Sequence, residues 1–99
     1  MINLLKVTGF DWDDGNARKN ERHGVSMAEA EQVFFQLPLL LLDDLGHSDF
    51  EVRCHALGKT IGARRLHLTF TLRQNGEMIR VISARNMSRR ERAIYEQAT

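Results

Sequence analysis

The stretch RLHLTFTLR-QNGE-MIRVISAR, residues 65–85, constrains the fold of this chain more than any other. Over 65–73 apolar and polar residues alternate without a break. Leu66, Leu68, Phe70 and Leu72 form one row; His67, Thr69, Thr71 and Arg73 form the other. A period of two is the pleat of a strand with one dry face and one wet face. Asn75-Gly76 is the strongest short hairpin signal, so 78–85 is expected to return antiparallel beside 65–73. The returning strand has mixed parity. Strict alternation sets Ile79, Val81, Ser83 and Arg85 on one side, and Arg80, Ile82 and Ala84 on the other. Whether Ser83 and Arg85 join the polar row of the neighbouring strand decides what that face can do.

The rest of the chain supplies partners for this hairpin. FEVRCHALG (50–58) alternates, with Phe50, Val52, Cys54 and Ala56 opposed to Glu51, Arg53 and His55. LLLLD (39–43) reads as a short apolar strand and DLGHSD (44–49) as a turn or loop. GFDWD (9–13) reads as a first strand, with Phe10 and Trp12 on one face. DDGNARKNERHG (13–24) reads as a polar helix with Asp13 or Asp14 as N-cap and Gly24 in the left-handed closing position. SMAE (26–29) is a capping box opening a helix whose stripe is Ala30, Val33 and Phe34, and Pro38 stops it. SRRE (88–91) is a second capping box, opening a C-terminal helix that runs through Tyr95. The expected fold is α+β, a single domain over 1–99. It is an antiparallel sheet of four to five strands with two N-terminal helices and one C-terminal helix. Helices on one face would leave the other face wet.

At 99 residues the core is limited and a second domain is excluded. The single cysteine, Cys54, forbids an intramolecular disulfide and suits a reducing compartment. The longest apolar run, VFFQLPLLLL, is broken by Gln36 and Pro38 and is too short to span a bilayer. A cytoplasmic location without membrane association is expected. Charge is uneven: residues 1–58 carry five Lys/Arg against ten Asp/Glu, and residues 59–99 carry nine against three. Two readings stand: the basic half meets a polyanion such as RNA, or the two halves neutralise each other within the fold.

Chemistry-bearing residues are few. No two histidines have metal-site spacing on a single helix and only one cysteine is present, which argues against zinc. Ser83 has no G-x-S-x-G context, and LGKTIG (57–62) lacks the spacing of a phosphate-binding loop. No cofactor is expected. Each of the four histidines could move a proton near neutral pH. Each also has a plainer reading: His23 as a helix-end residue, His47 as a loop residue, His55 and His67 as cover for the sheet. Arg64, Arg73, Ser83 and Arg85 could converge on one concave face and stabilise a pentacoordinate phosphorane. The competing reading is a solvated face of long side chains.

The string FDWD…ARKNERHGVSMAEAEQVF…HSDFEVR…RRLHLTFTLR…IRVISARNMSRRERAIYE, spanning about residues 10–96, is similar to the BrnT toxins of bacterial type II toxin–antitoxin systems. The carrying blocks are HGVS, HS-x-x-E-x-R and IR-x-ISAR…ERxxYE, in that order. The first nine residues precede the usual family start and read as an N-terminal extension or an alternative initiation site. The resemblance implies a RelE-like fold and a ribonuclease that blocks translation by cutting RNA without a metal. It also implies a BrnA-like antitoxin that carries a DNA-binding domain, in a toxin homodimer or a toxin–antitoxin heterotetramer. Carried over, it implies that Arg64 and Arg85 hold the scissile phosphate while Ser83 orients phosphate or sugar. Arg53, Arg73 and Arg80 would then position RNA or contact the partner, and His23 and His47 would be the candidates for proton transfer. Tyr95 would be core or a hydroxyl near the site. Two other classes stay open: a non-catalytic module that binds RNA or a partner, and an interaction protein whose VFFQLPLLLL patch a partner completes.

Overall fold

A computed structural model describes residues 4–43 and 52–99 of the chain. The expected loop at 44–49, with His47, Phe50 and Glu51, lies outside the described residues. After a 3-10 turn at Leu4–Lys6 the elements are β1 (Gly9–Phe10), α1 (Asp14–Arg22), α2 (Met27–Val33), β2 (Leu40–Asp43), β3 (Arg53–Lys59), β4 (Arg65–Arg73), β5 (Met78–Asn86) and α3 (Arg89–Ala98). The fold is α+β, around a five-stranded sheet in the order β1-β5-β4-β3-β2. The strands β2 to β5 form the expected antiparallel meander. The fifth, β1, is shorter than GFDWD suggested and runs parallel to β5, so the sheet is mixed. The chain passes through two helices and three strands before β5 comes alongside. Thr8 and Asp11 then extend the ladder by donating to the carbonyls of Glu77 and Ile79, each at 2.8 Å.

Both capping boxes form. Ser26 accepts from the Glu29 backbone N–H while Glu29 reaches back to Ser26, and Ser88 and Glu91 do the same for α3. Gly24 closes the α1 turn at φ +75°, where a side chain would be strained.

The inner face of the sheet packs α1 and α2 over the alternating rows the sequence marks. Ala30 and Val33 of α2 meet Cys54, Ala56, Leu66, Leu68, Phe70, Ile79 and Val81, all buried. Phe34 stacks edge-on against Phe70 at 5.1 Å and tilts against Phe10 at 5.6 Å, tying β1 to the centre. Gly58 sits where the backbones press closest, since a Cβ there would lie 2.8 Å from Val33 Cγ1.

Two features alter the outer face. The helix α3 crosses to it and buries Tyr95 with Leu57 and Met87. The Tyr95 hydroxyl donates to the Pro38 carbonyl at 2.6 Å, which makes this residue core. The outer face is therefore part-covered, and a cleft forms where α3 meets the strands. The second feature is a register shift between β4 and β5: Thr69 pairs with Ser83, but Phe70 pairs with Val81. Ile82 is the extra residue of a β-bulge. Strict alternation is thereby corrected. Ile79, Val81 and Ala84 all face the core, while Ser83 and Arg85 face outward.

Candidate active site

The bulge aligns the polar residues of three strands in transverse rows. Ser83, Thr69 and His55 are cross-strand neighbours, and Arg85, His67 and Leu57 form the next row. A diagonal contact links them: His67 Nε2 lies 3.0 Å from His55 Nδ1, and the Thr69 hydroxyl lies 3.1 Å from the same Nδ1. The two rings sit 4.9 Å apart, centroid to centroid. Which nitrogen donates depends on the tautomer, but one proton must lie between the rings for the contact to hold. His67 is 8% exposed. Burial drives its pKa below the ordinary 6.5, Arg85 and His55 add to that, and the Glu91 carboxylate opposes it from 3.8 Å.

From α3 the cleft receives Glu91. Its carboxylate accepts from Arg85 Nη1 at 2.7 Å and Nη2 at 2.9 Å, while also accepting the Ser88 backbone N–H at 2.9 Å. Arg85 foremost, then the Ser88 amide, hold the Glu91 pKa at about 2 against the desolvation that would raise it. The same pairing raises the pKa of Arg85. A cleft of about 450 Å³ opens here, lined by His55, His67, Arg85, Ser88, Arg90 and Glu91 with Leu42, Leu57 and Ile94 at its apolar side.

The remaining sequence candidates are placed elsewhere. Arg64 donates to the Gly24 carbonyl at 2.7 Å and to both Glu29 oxygens at 3.1 Å, and its Nε donates to Asn86 Oδ1 at 2.9 Å. Asn86 follows Arg85, so strand alternation points its side chain the other way. The two guanidiniums thus approach Asn86 from opposite sides of β5, and Arg64 does not line the cleft. His23 is exposed at the turn after α1, with its backbone N–H bonded to Asn20. Arg53 and Arg80 flank Thr71 one row further along the outer face, and Arg73 lies opposite Met78. Arg80 pairs with Asp13 at 3.2 Å and Asp11 at 3.5 Å. Together with Arg64–Glu29, these pairs show that the acidic and basic halves neutralise each other in part. The Arg65–Glu96 pair, by contrast, stays within the basic half.

Four residues acquire weight that the sequence did not single out. His55 and His67 had plain readings because neither pattern nor spacing reveals a diagonal contact across a register. Glu91 read only as a helix cap; the signal was its place six residues after Arg85, just past a strand end. Asn20 is the fourth. It is fully buried, and its Oδ1 accepts the Ala84 backbone N–H at 3.0 Å, capping the edge of β5 beyond β1.

Among the described residues, no group of three or more His, Cys, Asp or Glu is arranged to hold a metal ion, and no helix is long and apolar enough to cross a membrane. A family described as ribonuclease toxin, BrnT, of type II toxin-antitoxin system matches residues 12–91. A search of curated proteins found no match.

Proposed function

The chain belongs to the BrnT ribonuclease toxins of type II toxin–antitoxin systems, and from that premise we propose that the outer-face cleft is its RNA-cleaving centre. The observation that carries this reading is the His55–His67 couple, hydrogen-bonded to Thr69 and set beside Arg85 in an open cleft.

In the proposed reaction one imidazole of the couple takes the proton of an RNA 2′-hydroxyl as its oxygen attacks the adjacent phosphorus. The 2′-O–P bond forms and the P–O5′ bond breaks. The couple returns a proton to the departing 5′ oxygen. The products are a 2′,3′-cyclic phosphate and a 5′-hydroxyl, and no metal takes part. A buried His67 held below its ordinary pKa is neutral at pH 7 and fit to accept a proton. Arg85 offsets the charge that grows on the non-bridging oxygens. Ser83 and Thr69 offer hydroxyls to the phosphate or ribose. Arg53 and Arg73 hold flanking phosphates along the same face, and Arg80, paired with Asp11 and Asp13, braces its edge. Arg64 acts from behind β5, joining Asn86 to the α1–α2 turn.

The antitoxin in this reading is BrnA-like, carries a DNA-binding domain and covers the basic outer face, and the toxin acts in the cytoplasm. Purified protein incubated with RNA in excess chelator tests the chemistry. Defined fragments ending in cyclic phosphate are expected. RNA that is bound and shifted in a gel but left intact would instead establish a non-catalytic binding module.

A further inference from the structure

Resting on that reading of the cleft, we propose that Glu91 is a positioning residue of the reaction, fixing Arg85 so that one edge of its guanidinium faces the scissile phosphate. A guanidinium has five N–H groups. Glu91 takes one from Nη1 and one from Nη2, and the Asn86 carbonyl takes a second from Nη1 at 3.2 Å. What remains is Nε–H and the other Nη2–H, which lie along a single edge. That edge is the side-on fork that matches two oxygens of a phosphate. The Arg85 side chain is 43% exposed, while Glu91 beneath it is only 20% exposed. The carboxylate therefore occupies the buried flank and leaves the open flank to a ligand.

Glu91 is itself held without freedom to turn. Its backbone N–H donates to Ser88 Oγ at 3.1 Å, and its Oε1 accepts the Ser88 N–H. The first turn of α3 thus orients the carboxylate, the carboxylate orients Arg85, and the same anion stands 3.8 Å from His67 Nε2. One side chain couples the helix start to both reacting groups of the cleft. An unpaired Arg85, with four rotatable side-chain bonds, would sample many poses above the sheet.

The test compares Glu91→Gln with Ser88→Ala in single-turnover and steady-state cleavage of one RNA, in chelator, with melting curves alongside. Gln at this position still serves a capping box, so α3 is kept while the charge that orders Arg85 is removed. The expected result is a fall in kcat of about 10²-fold for Glu91→Gln, the scale of a misplaced catalytic group, with KM changed much less. Ser88→Ala should lower the melting temperature with a far smaller loss of kcat. A folded Glu91→Gln variant that cleaves as fast as the wild type, or faster, would overturn the proposal; a faster variant would mean that the carboxylate blocks the phosphate site. If the wild type itself cleaves nothing, it is the reading of the cleft that fails.

Discussion

Gly58 illustrates how closely the inner face is packed at the level of single atoms. Any Cβ at this position meets Val33 Cγ1 at 2.8 Å and Leu39 Cδ1 at 3.4 Å. Gly58→Ala should therefore destabilise the protein by about 1–3 kcal/mol, the usual cost of overpacking, measured by denaturant unfolding. The ionisable residues give a second prediction at this scale. His67 has a folded pKa below its ordinary 6.5, so the unfolded chain binds its proton more readily, and stability falls as pH drops below that value. Glu91, at about 2 against an ordinary 4.5, adds a second loss as pH falls from 4.5 towards 2. Both act in the same direction. Melting temperatures recorded across pH should decline in two stages on acidification, and His67→Gln should remove the first. Arg85 was legible in the sequence as a polar residue at the end of an apolar strand. Its partner Glu91 was not, because a capping box already gave that residue a sufficient role. Arg64 looked equivalent to Arg85 in charge alone; only the fold separates an arginine clasped by Gly24 and Glu29 from one that lines the cleft.

At the scale of elements, the decisive feature is the bulge at Ile82. The strands 65–73 and 78–85, both capping boxes and the α2 stripe could be read from period, turn and cap signals, and the structure agrees with them, β5 running one residue further to Asn86. The bulge could not, since a single inserted residue leaves no compositional mark. Yet it alone lets Ile79 and Val81 face the core while Ser83 and Arg85 face outward. Deleting Ile82 should remove the extra residue and leave Phe70–Val81 and Thr69–Ser83 paired in a regular ladder, with the same residues facing inward and outward. The expected outcome is a folded chain that keeps its thermal transition; loss of the transition would mean that the ladder needs the bulge itself. Asn20 offers a second probe of the same strand. Asn20→Ala leaves the Ala84 N–H without its partner in a buried setting, a cost of about 1–3 kcal/mol. Hydrogen exchange at Ala84 should accelerate with it.

For the molecule as a whole, the uneven charge of the sequence resolves into two parts. Some of it closes internally, through Arg64–Glu29 and Arg80 with Asp11 and Asp13. A second part lies on the outer face, where Arg53, Arg73, Arg90 and the Glu91-paired Arg85 sit near or beside the cleft. If that face tracks an RNA backbone, affinity must fall with salt. Each arginine that holds a phosphate and is replaced by alanine should reduce the slope of log K against log salt by about 0.7. The family, described as a ribonuclease toxin family, was legible in the ordered blocks of sequence; the candidate site within the fold was not, because it is assembled from three strands and a helix start.

In the proposed mechanism RNA is cut where the histidine couple and Arg85 meet. The most direct measurement is digestion of one RNA in chelator by wild type, Arg85→Ala and Arg64→Ala, with folding of each verified by its melting curve. Wild type and a folded Arg64→Ala should yield the same cyclic-phosphate fragments at comparable rates per folded molecule, while a folded Arg85→Ala should yield almost none. Undiminished cutting by Arg85→Ala, with cleavage lost in Arg64→Ala, would place the chemistry on the other side of β5 and contradict the account.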